Sequence, residues 1–204
     1  MTLEPEKVER FIESVKRAFE VHNASDDLKR EIDAVIREID SHELKINNPV
    51  PTILPVCKYL QDAWAQATQE SIEPIIDSIK HLTPNLVWHQ GYAESEMSMD
   101  FSDNFGIADV IGPYGLVFST SFKLGMVLLG PETWYPPHAH PSTEIYYILW
   151  GEAEWYAGED SSVKNAGSMI FHHSNEPHAM LTRKNPLLAI YTWRGNIQTN
   201  SKFL

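Results

Sequence analysis

The distribution of glycine divides this chain into two parts of different structural character. All ten glycines lie at or after Gly91. Five of the six tryptophans and seven of the eight tyrosines follow residue 87. A stretch without glycine favours helices, whereas glycine turns between aromatic and β-branched runs are typical of strands. The sequence therefore predicts a helical region over 1–87 and a β-rich domain over 88–204.

Four segments of the first part have the apolar spacing of amphipathic helices. Apolar residues recur three and four positions apart from Val8, Leu28, Val56 and Ile72 onwards. Ser25 is a candidate N-cap for the second of these helices. Their apolar faces need a partner surface and no long flexible linker follows them, so we expect the helices to pack on the β-rich domain. The second helix carries more acids than bases, which argues against a DNA-reading helix-turn-helix.

The second part has the pattern of a mainly β domain. Apolar residues alternate with a period of two, and turn residues recur at intervals of roughly ten. Many short antiparallel strands at this spacing predict a sandwich, jelly roll or barrel. The candidate strands are 114–120, 122–129, 143–150, 153–157, 168–172, 178–182 and 187–193.

Composition excludes several classes of protein. The chain has 16 Lys+Arg against 28 Asp+Glu, a formal net charge of −12, so we expect no nucleic-acid partner. The single cysteine, Cys57, leaves no intrachain disulfide and no thiolate zinc cluster. No apolar run approaches the roughly 20 residues of a membrane span, and the charged N-terminus does not resemble a secretory signal. We therefore expect a cytoplasmic protein that does not insert into a membrane.

Residue types that bind metals concentrate in one short segment. His138 and His140 are two apart, so in an extended strand they face the same way. Pro141 predicts a bend, after which Glu144 can join them. A further ligand should come from a neighbouring strand, and His178 is the best-placed candidate. Imidazoles with one carboxylate suit Zn²⁺ or Fe²⁺, with Mn²⁺, Ni²⁺ or copper as further candidates, but not calcium alone.

Four other residues are weaker site candidates. His172 and His173 are more readily explained as loop or supporting residues than as ligands. Lys123 and Arg194 could pair with a substrate carboxylate, although surface charge is the simpler interpretation of both.

The histidine segment resembles the first cupin motif, G-x5-H-x-H-x3-4-E-x6-G. His138, His140, Glu144 and Gly151 match this motif in register. Glu132 stands where the motif begins with glycine. The resemblance implies a cupin double-stranded β-helix, a jelly-roll barrel with a metal in its mouth.

The second cupin motif, G-x5-P-x-G-x2-H-x3-N, is matched less completely. Gly167 and His178 agree with it. His173, Asn175 and Thr182 occupy its proline, glycine and asparagine positions. The ligand position is therefore present, whereas three turn or structural positions differ.

A narrower resemblance is to the bacterial cupin-type dimethylsulfoniopropionate (DMSP) lyases. It rests on Tyr146 two residues after the glutamate, Tyr135 three before the first histidine, the tryptophan-rich barrel and the N-terminal helices. It implies a metal-dependent β-elimination that cleaves DMSP to dimethyl sulfide and acrylate. Carried over by position, the metal would bind His138, His140, Glu144 and His178. Tyr146 would be the general base, and Tyr135 a second active-site tyrosine.

The implied substrate is a small zwitterion whose sulfonium cannot donate an N–H hydrogen bond. An aromatic face can attract such a cation, as it attracts quaternary ammonium. Trp193 ends a predicted strand near the barrel mouth and is the first candidate for this contact. Trp155 and Trp134 are further candidates.

Two other classes of function stay open. A cupin of different chemistry, such as an iron dioxygenase or a sugar-type isomerase, could use the same ligands. A non-catalytic cupin would bind a small ligand without turnover. The tyrosine pair favours the lyase over both. The resemblance also allows a homodimer, since cupins often pair through strands or flanking helices.

Overall fold

The computed structural model describes residues 3–41, 43–158 and 160–204. Within these ranges the α-helices are α1 (Pro5–Val21), α2 (Asp26–Ser41), α3 (Leu60–Gln66), α4 (Glu73–Leu82) and α5 (Met99–Asp103). The first six strands are β1 (Trp88–His89), β2 (Phe105–Gly112), β3 (Val117–Phe118), β4 (Phe122–Leu129), β5 (Trp134–Ala139) and β6 (Ser142–Trp150). The others are β7 (Glu152–Ala157), β8 (Asp160–Asn165), β9 (Met169–His172), β10 (His178–Thr182), β11 (Leu187–Gly195) and β12 (Lys202–Phe203).

The predicted N-terminal helices are confirmed as α1 to α4. The Ser25 Oγ accepts a hydrogen bond of 3.4 Å from the Leu28 amide, so this residue caps α2 as predicted. The third predicted helix begins as the 3-10 turn Pro55–Tyr59 and becomes α-helical only at Leu60. None of the described helices has the length and apolar character needed to cross a membrane.

The strand predictions succeeded where apolar and polar residues alternate clearly. β4 and β10 have the predicted bounds, and β6, β7, β9 and β11 differ by one or two residues at their ends. The predicted strand 114–120 shortens to β3, because Gly115 lies in a turn. The Gly115 amide donates a hydrogen bond to the Gly112 carbonyl there. β2 was missed because almost all its residues are buried and it shows no alternation. β8 was missed because it is a polar, exposed strand.

Two sheets form the β domain, and their inner faces enclose one apolar core. The first sheet has the order β1-β2-β4-β11-β6-β9, with β3 beside β2, and the second has the order β12-β5-β10-β7-β8. Tyr146, Val127 and Tyr191 of the first sheet pack in one cluster with Tyr135 and Trp155 of the second. The predicted mainly β fold with N-terminal helices is confirmed.

The helices cover the outer face of the first sheet. Along β6, Ile145, Tyr147 and Leu149 share a core cluster with the helices, whereas Tyr146 and Ile148 point into the barrel. β6 is therefore buried on both faces, which explains its nearly continuous apolar sequence. The division of the chain into domains at residues 87 and 88 stays a prediction.

A partly buried ion pair joins the helical region to the barrel. Arg194 on β11 donates to both carboxylate oxygens of Glu31 on α2, at 2.8 and 2.7 Å. The Thr143 hydroxyl donates to the same carboxylate at 2.7 Å. Arg194 therefore has a structural partner, and a role in binding a substrate carboxylate is not supported by its position.

Candidate active site

Strand pairing brings the predicted ligands together inside the barrel. His178 on β10 lies directly opposite His138 on β5. Glu144 on β6 points inwards from the other sheet, and His140 lies in the short turn between β5 and β6. All four side chains are buried.

Three of these residues form a compact cluster. The Oε2 atom of Glu144 lies 2.8 Å from His140 Nε2 and 3.2 Å from His178 Nε2. The ligand atoms of the three residues all lie within 4.8 Å of one another, so this cluster could hold a metal ion. In the part of the chain that the structure describes, His178 Nε2 is buried, and its approach to Glu144 does not have the geometry of a hydrogen bond. It is therefore a nitrogen that a metal can use.

Hydrogen bonds at the other ring nitrogen fix two of these imidazoles. His140 Nδ1 lies 2.8 Å from the Ser142 hydroxyl and 3.1 Å from the Ser142 carbonyl. His178 Nδ1 lies 2.9 Å from the Glu176 carbonyl oxygen. Such contacts hold the tautomer and the ring orientation that direct Nε2 towards a metal.

His138 lies beside the cluster rather than within it. Its Nδ1 is 2.9 Å from the Pro136 carbonyl oxygen, and its ring centroid is 4.0 Å from that of His178. Its Nε2 is buried without a hydrogen-bond partner among the described residues. His138 as a fourth ligand stays a prediction.

The protonation states of Glu144 and of the adjacent His138 suit metal binding. Burial opposes the charge on Glu144, yet the neighbouring His140 and His178 hold the pKa of its carboxyl well below the usual range. Burial and the nearby His178 lower the pKa of His138 well below its usual value. An ionised carboxylate and neutral imidazoles are the forms that bind metal ions.

A cavity of about 880 Å³ opens beside the cluster. Four of the predicted site residues line it: Tyr135, Glu144, Tyr146 and Trp193. The segment 87–96 and the C-terminal residues 200–202 form other parts of its wall. The predicted tyrosines and the carboxylate therefore face one space that can contain a small ligand.

Both predicted catalytic tyrosines are buried and neutral. Burial and the neighbouring Glu144 raise the pKa of Tyr146 well above its usual value. Burial also raises the pKa of Tyr135, whose hydroxyl lies 2.6 Å from that of Tyr92. Tyr146 is the cross-strand partner of Tyr191 on β11, and the Tyr191 hydroxyl donates a short hydrogen bond to Asp109.

The three predicted tryptophans have different positions. Trp193 lines the cavity, and its Nε1 donates to Glu144 Oε1 at 2.8 Å. Trp155 is buried in the barrel core, outside the cavity lining, where its Nε1 donates to His172 Nε2 at 2.9 Å. Trp134 is 42 % exposed and packs edge-on against Tyr156, also outside that lining. The structure therefore brings only Trp193 to the cavity.

Comparison with models of protein families shows which family this chain belongs to. The model described as dimethylsulfoniopropionate lyase matches residues 27–189. The chain belongs to the DMSP lyase family. Among curated relatives, it is 37 % identical to dimethylsulfoniopropionate lyase DddQ of Ruegeria pomeroyi over 55 % of this chain. It is 26 % identical to putative dimethylsulfoniopropionate lyase DddL of Cereibacter sphaeroides over 74 % of this chain. These matches span 56 % and 64 % of the relatives' own lengths.

Solved structures confirm the predicted cupin fold. The crystal structure of DMSP lyase DddQ from Ruegeria pomeroyi has a TM-score of 0.71 and 27 % identity, covering 92 % of this chain and 96 % of that one. A structure described as DMSP lyases RdDddP and RnDddQII has a TM-score of 0.76 over 98 % of both chains. Its 22 % identity supports the fold alone.

The two weaker histidine candidates, His172 and His173, are consecutive in the chain but have different surroundings. His172 ends β9, is fully buried, and stacks on His178 with ring centroids 4.0 Å apart. His173 is exposed, with its Nε2 3.0 Å from an Asp27 carboxylate oxygen on α2. His172 therefore packs against the cluster through His178, whereas His173 lies outside the cavity.

The sequence does not indicate that several residues of this protein line the cavity. Tyr92 and His89 belong to a region for which no strand was predicted. For Lys123 the sequence favours a surface charge over pairing with a substrate carboxylate, but the residue is 8 % exposed and lines the cavity. The alternation of β4 offered a signal, because Lys123 shares its parity with Gly125 and Val127, and the Val127 side chain points into the barrel.

Proposed function

We propose that this protein is a metal-dependent lyase that cleaves DMSP to dimethyl sulfide and acrylate by β-elimination, with Tyr146 as the general base. The observation that carries the proposal is the position of Tyr146. It lines the same cavity as Glu144, two residues along the inner face of β6, beside the His140, Glu144 and His178 cluster. Membership of the DMSP lyase family supports the choice of substrate.

The residues of the cluster fit a divalent transition metal. Three buried donors, with further nitrogen available on His138, are the ligand types that Zn²⁺ and Fe²⁺ accept, and Mn²⁺ or Ni²⁺ is also compatible. A divalent cation bound there supplies positive charge that favours both the tyrosine phenolate and the enolate-like transition state.

The chain's own groups explain why the reaction needs that charge. A free tyrosine has a pKa near 10, and lowering it to about 7 takes on the order of 4 kcal/mol. Burial and Glu144 shift the pKa of Tyr146 in the opposite direction. The protein residues alone therefore oppose the phenolate, and we expect no useful base at neutral pH without a cation.

In the proposed elimination, one proton moves to Tyr146 and the substrate divides into acrylate and dimethyl sulfide. The Tyr146 phenolate oxygen takes the proton from the carbon next to the substrate carboxylate. The C–H electron pair forms the double bond of acrylate, and the C–S pair leaves with the sulfur as neutral dimethyl sulfide. Tyr135, held by its hydrogen bond to Tyr92, is placed to orient the substrate on the opposite wall. Trp193 is the proposed aromatic contact of the sulfonium.

Headspace detection of dimethyl sulfide from DMSP tests this proposal. We expect release by the metal-loaded protein, loss after treatment with a chelator, and recovery when metal is returned. Tyr146→Phe should reduce the rate by about 100-fold or more, as loss of a general base does. Tyr147→Phe is the matched control, because Tyr147 lies on the same strand but faces the helices, with its hydroxyl 3.3 Å from that of Ser71.

Each outcome of this assay has a separate meaning. No dimethyl sulfide from the fully metallated protein would exclude the proposed function. Undiminished activity in Tyr146→Phe would retain the lyase but exclude its base. Oxygen consumption on turnover would instead favour a dioxygenase, and binding without turnover would favour a ligand-binding cupin.

A homodimer and a cytoplasmic location stay predictions.

A further inference from the structure

Lys123 occupies an unusual position for a lysine. It belongs to a row of cross-strand partners, with Trp193 between Lys123 on β4 and Glu144 on β6. All three side chains line the cavity, and the Lys123 ammonium lies 4.2 Å from the centre of the Trp193 ring. Only 8 % of Lys123 is exposed. This charge is therefore directed into the barrel, not into solvent.

The two acidic groups near Lys123 each have another partner. Asp109 Oδ1 accepts a hydrogen bond from Tyr191, whereas its Oδ2 is buried without a partner among the described residues, and Glu144 Oε1 accepts a hydrogen bond from Trp193. Among residues 3–41, 43–158 and 160–204, no carboxylate lies within 4.0 Å of the Lys123 ammonium. Asp109 and Glu144 favour the ammonium electrostatically without forming an ion pair with it, so donors of Lys123 are left for an anion in the cavity.

A second polar group on the same wall also lacks a partner. His89 on β1 lines the cavity, and its Nε2 is buried without a hydrogen bond to any described residue. Burial lowers the pKa of His89, while nearby Asp109 raises it and Lys123 lowers it. A neutral imidazole and an ammonium on one wall can both donate hydrogen bonds to the same anion.

We infer that Lys123 binds the substrate's carboxylate inside the cavity that it shares with Tyr146. This inference rests on the proposed function, which it extends by fixing how the zwitterion is oriented. The ammonium lies against the Trp193 ring, so this orientation moves the sulfonium away from Trp193 and towards the part of the cavity lined by Tyr92, Glu94 and Glu96. That part of the cavity therefore replaces Trp193 as the contact of the sulfonium. Lys123 then holds the carboxyl group on which negative charge grows as the α-proton leaves.

Binding of two half-substrates tests the inference independently of turnover. Propionate carries the carboxylate without the sulfonium, and trimethylsulfonium carries the cation without the carboxylate. Calorimetric titration of metal-loaded protein should show propionate binding weakened about tenfold or more in Lys123→Met, which corresponds to one lost charge-assisted hydrogen bond. Trimethylsulfonium should bind Lys123→Met at least as tightly as it binds the parent protein.

Two further variants separate charge from shape. Lys123→Arg retains the cation and should bind propionate within about threefold of the parent protein. Lys184→Met is the matched control, because Lys184 is an exposed lysine outside the cavity lining, and this variant should bind both probes normally. In the lyase assay, Lys123→Met should raise KM for DMSP by a factor similar to its loss of propionate affinity.

The results distinguish this inference from the proposed function. Unchanged propionate affinity in folded Lys123→Met overturns the inference, even if the parent protein releases dimethyl sulfide. Lys123-dependent propionate binding without dimethyl sulfide release supports the anion site and excludes the lyase. If Lys123→Met does not fold, reductive methylation of the parent protein decides the question. Propionate should protect Lys123 from methylation in the mass spectrum, and absence of protection overturns the inference.

Discussion

Two residues adopt the backbone conformation of the glycines that they replace in the cupin motifs. Glu132 and Asn175 have φ values of 52° and 59°, and within the described residues no other non-glycine residue has a positive φ. Both positions hold glycine in the motifs that the sequence resembles. Asparagine tolerates the left-handed region, whereas glutamate is strained there. The motif therefore predicted a backbone conformation even at positions where its residue type is absent.

Replacing Glu132 by glycine should consequently stabilise the protein. Glu132→Gly relieves the left-handed strain, and we expect a gain of about 0.5–1 kcal/mol in the free energy of unfolding, measured by urea titration. Glu132→Ala removes the same side chain but keeps the strain, so it should show no gain. Equal stabilisation by both substitutions would attribute the effect to the side chain instead.

The geometry of the cluster also predicts an unequal contribution from its histidines. His140 lies in the compact group with Glu144 and His178, and His138 does not. His140→Gln should therefore abolish the rise in melting temperature on adding Zn²⁺ or Fe²⁺, since a ligand of the native state stabilises it by mass action. His138→Gln should retain part of that rise. Equal loss in both variants, with metal content measured by mass spectrometry, would make His138 a full ligand.

At the scale of single elements, the strands show what a sequence pattern can reveal. The candidate ligands His140 and Glu144 were predictable because their spacing is local to one motif, and His178 because it occupies the histidine position of the second motif. The contribution of Tyr92 was not predictable, since it depends on how segments distant in the sequence pack together, whereas for Lys123 the alternation of β4 gave a signal. Trp134 and Trp155 have the expected residue type, but one faces outwards and the other lies beneath the cavity. Patterning alone did not place these rings.

Gly125 on β4 illustrates how register determines the cavity wall. It lies between Asp109 on β2 and Tyr191 on β11, and the Tyr191 hydroxyl reaches across it to the Asp109 carboxylate. A Cβ atom at Gly125 would lie 2.3 Å from the Ala108 carbonyl oxygen. β4 can therefore pair closely with β2 only if this residue has no side chain.

Gly125→Ala should accordingly destabilise the fold by about 2 kcal/mol, because the clash is with rigid backbone. Gly106→Ala on β2 is the comparison, since its Cβ would meet the side chains of Leu54 and Val56 at 3.1 Å, and these can move. We expect it to cost less than about 1 kcal/mol. Thermal unfolding measures both losses. Equal losses would show that the backbone contact at Gly125 is no more costly than the side-chain contacts at Gly106.

For the whole molecule, the attachment of the helices to the barrel depends on packing together with the partly buried ion pair of Arg194 and Glu31. Arg194→Ala would leave the Glu31 carboxylate, which is 7 % exposed, without its charged partner. We expect a loss of about 2–3 kcal/mol in unfolding free energy, because an unpaired buried charge is strongly destabilising. Arg183→Ala is the control, since Arg183 pairs with Glu154 at the surface and should cost less than about 1 kcal/mol. Similar losses in both variants would contradict this role of Glu31.

The short strand β12 has a practical consequence for the handling of this protein. Lys202 and Phe203 pair with Ala139 and His138 on β5, and the Leu204 amide donates to the Pro137 carbonyl. A polyhistidine tag fused after Leu204 would thus begin beside the ligand cluster. Its imidazoles could capture the metal that the assay is meant to add or remove. An untagged protein, or one with the tag cleaved, is therefore the appropriate material for metal titrations.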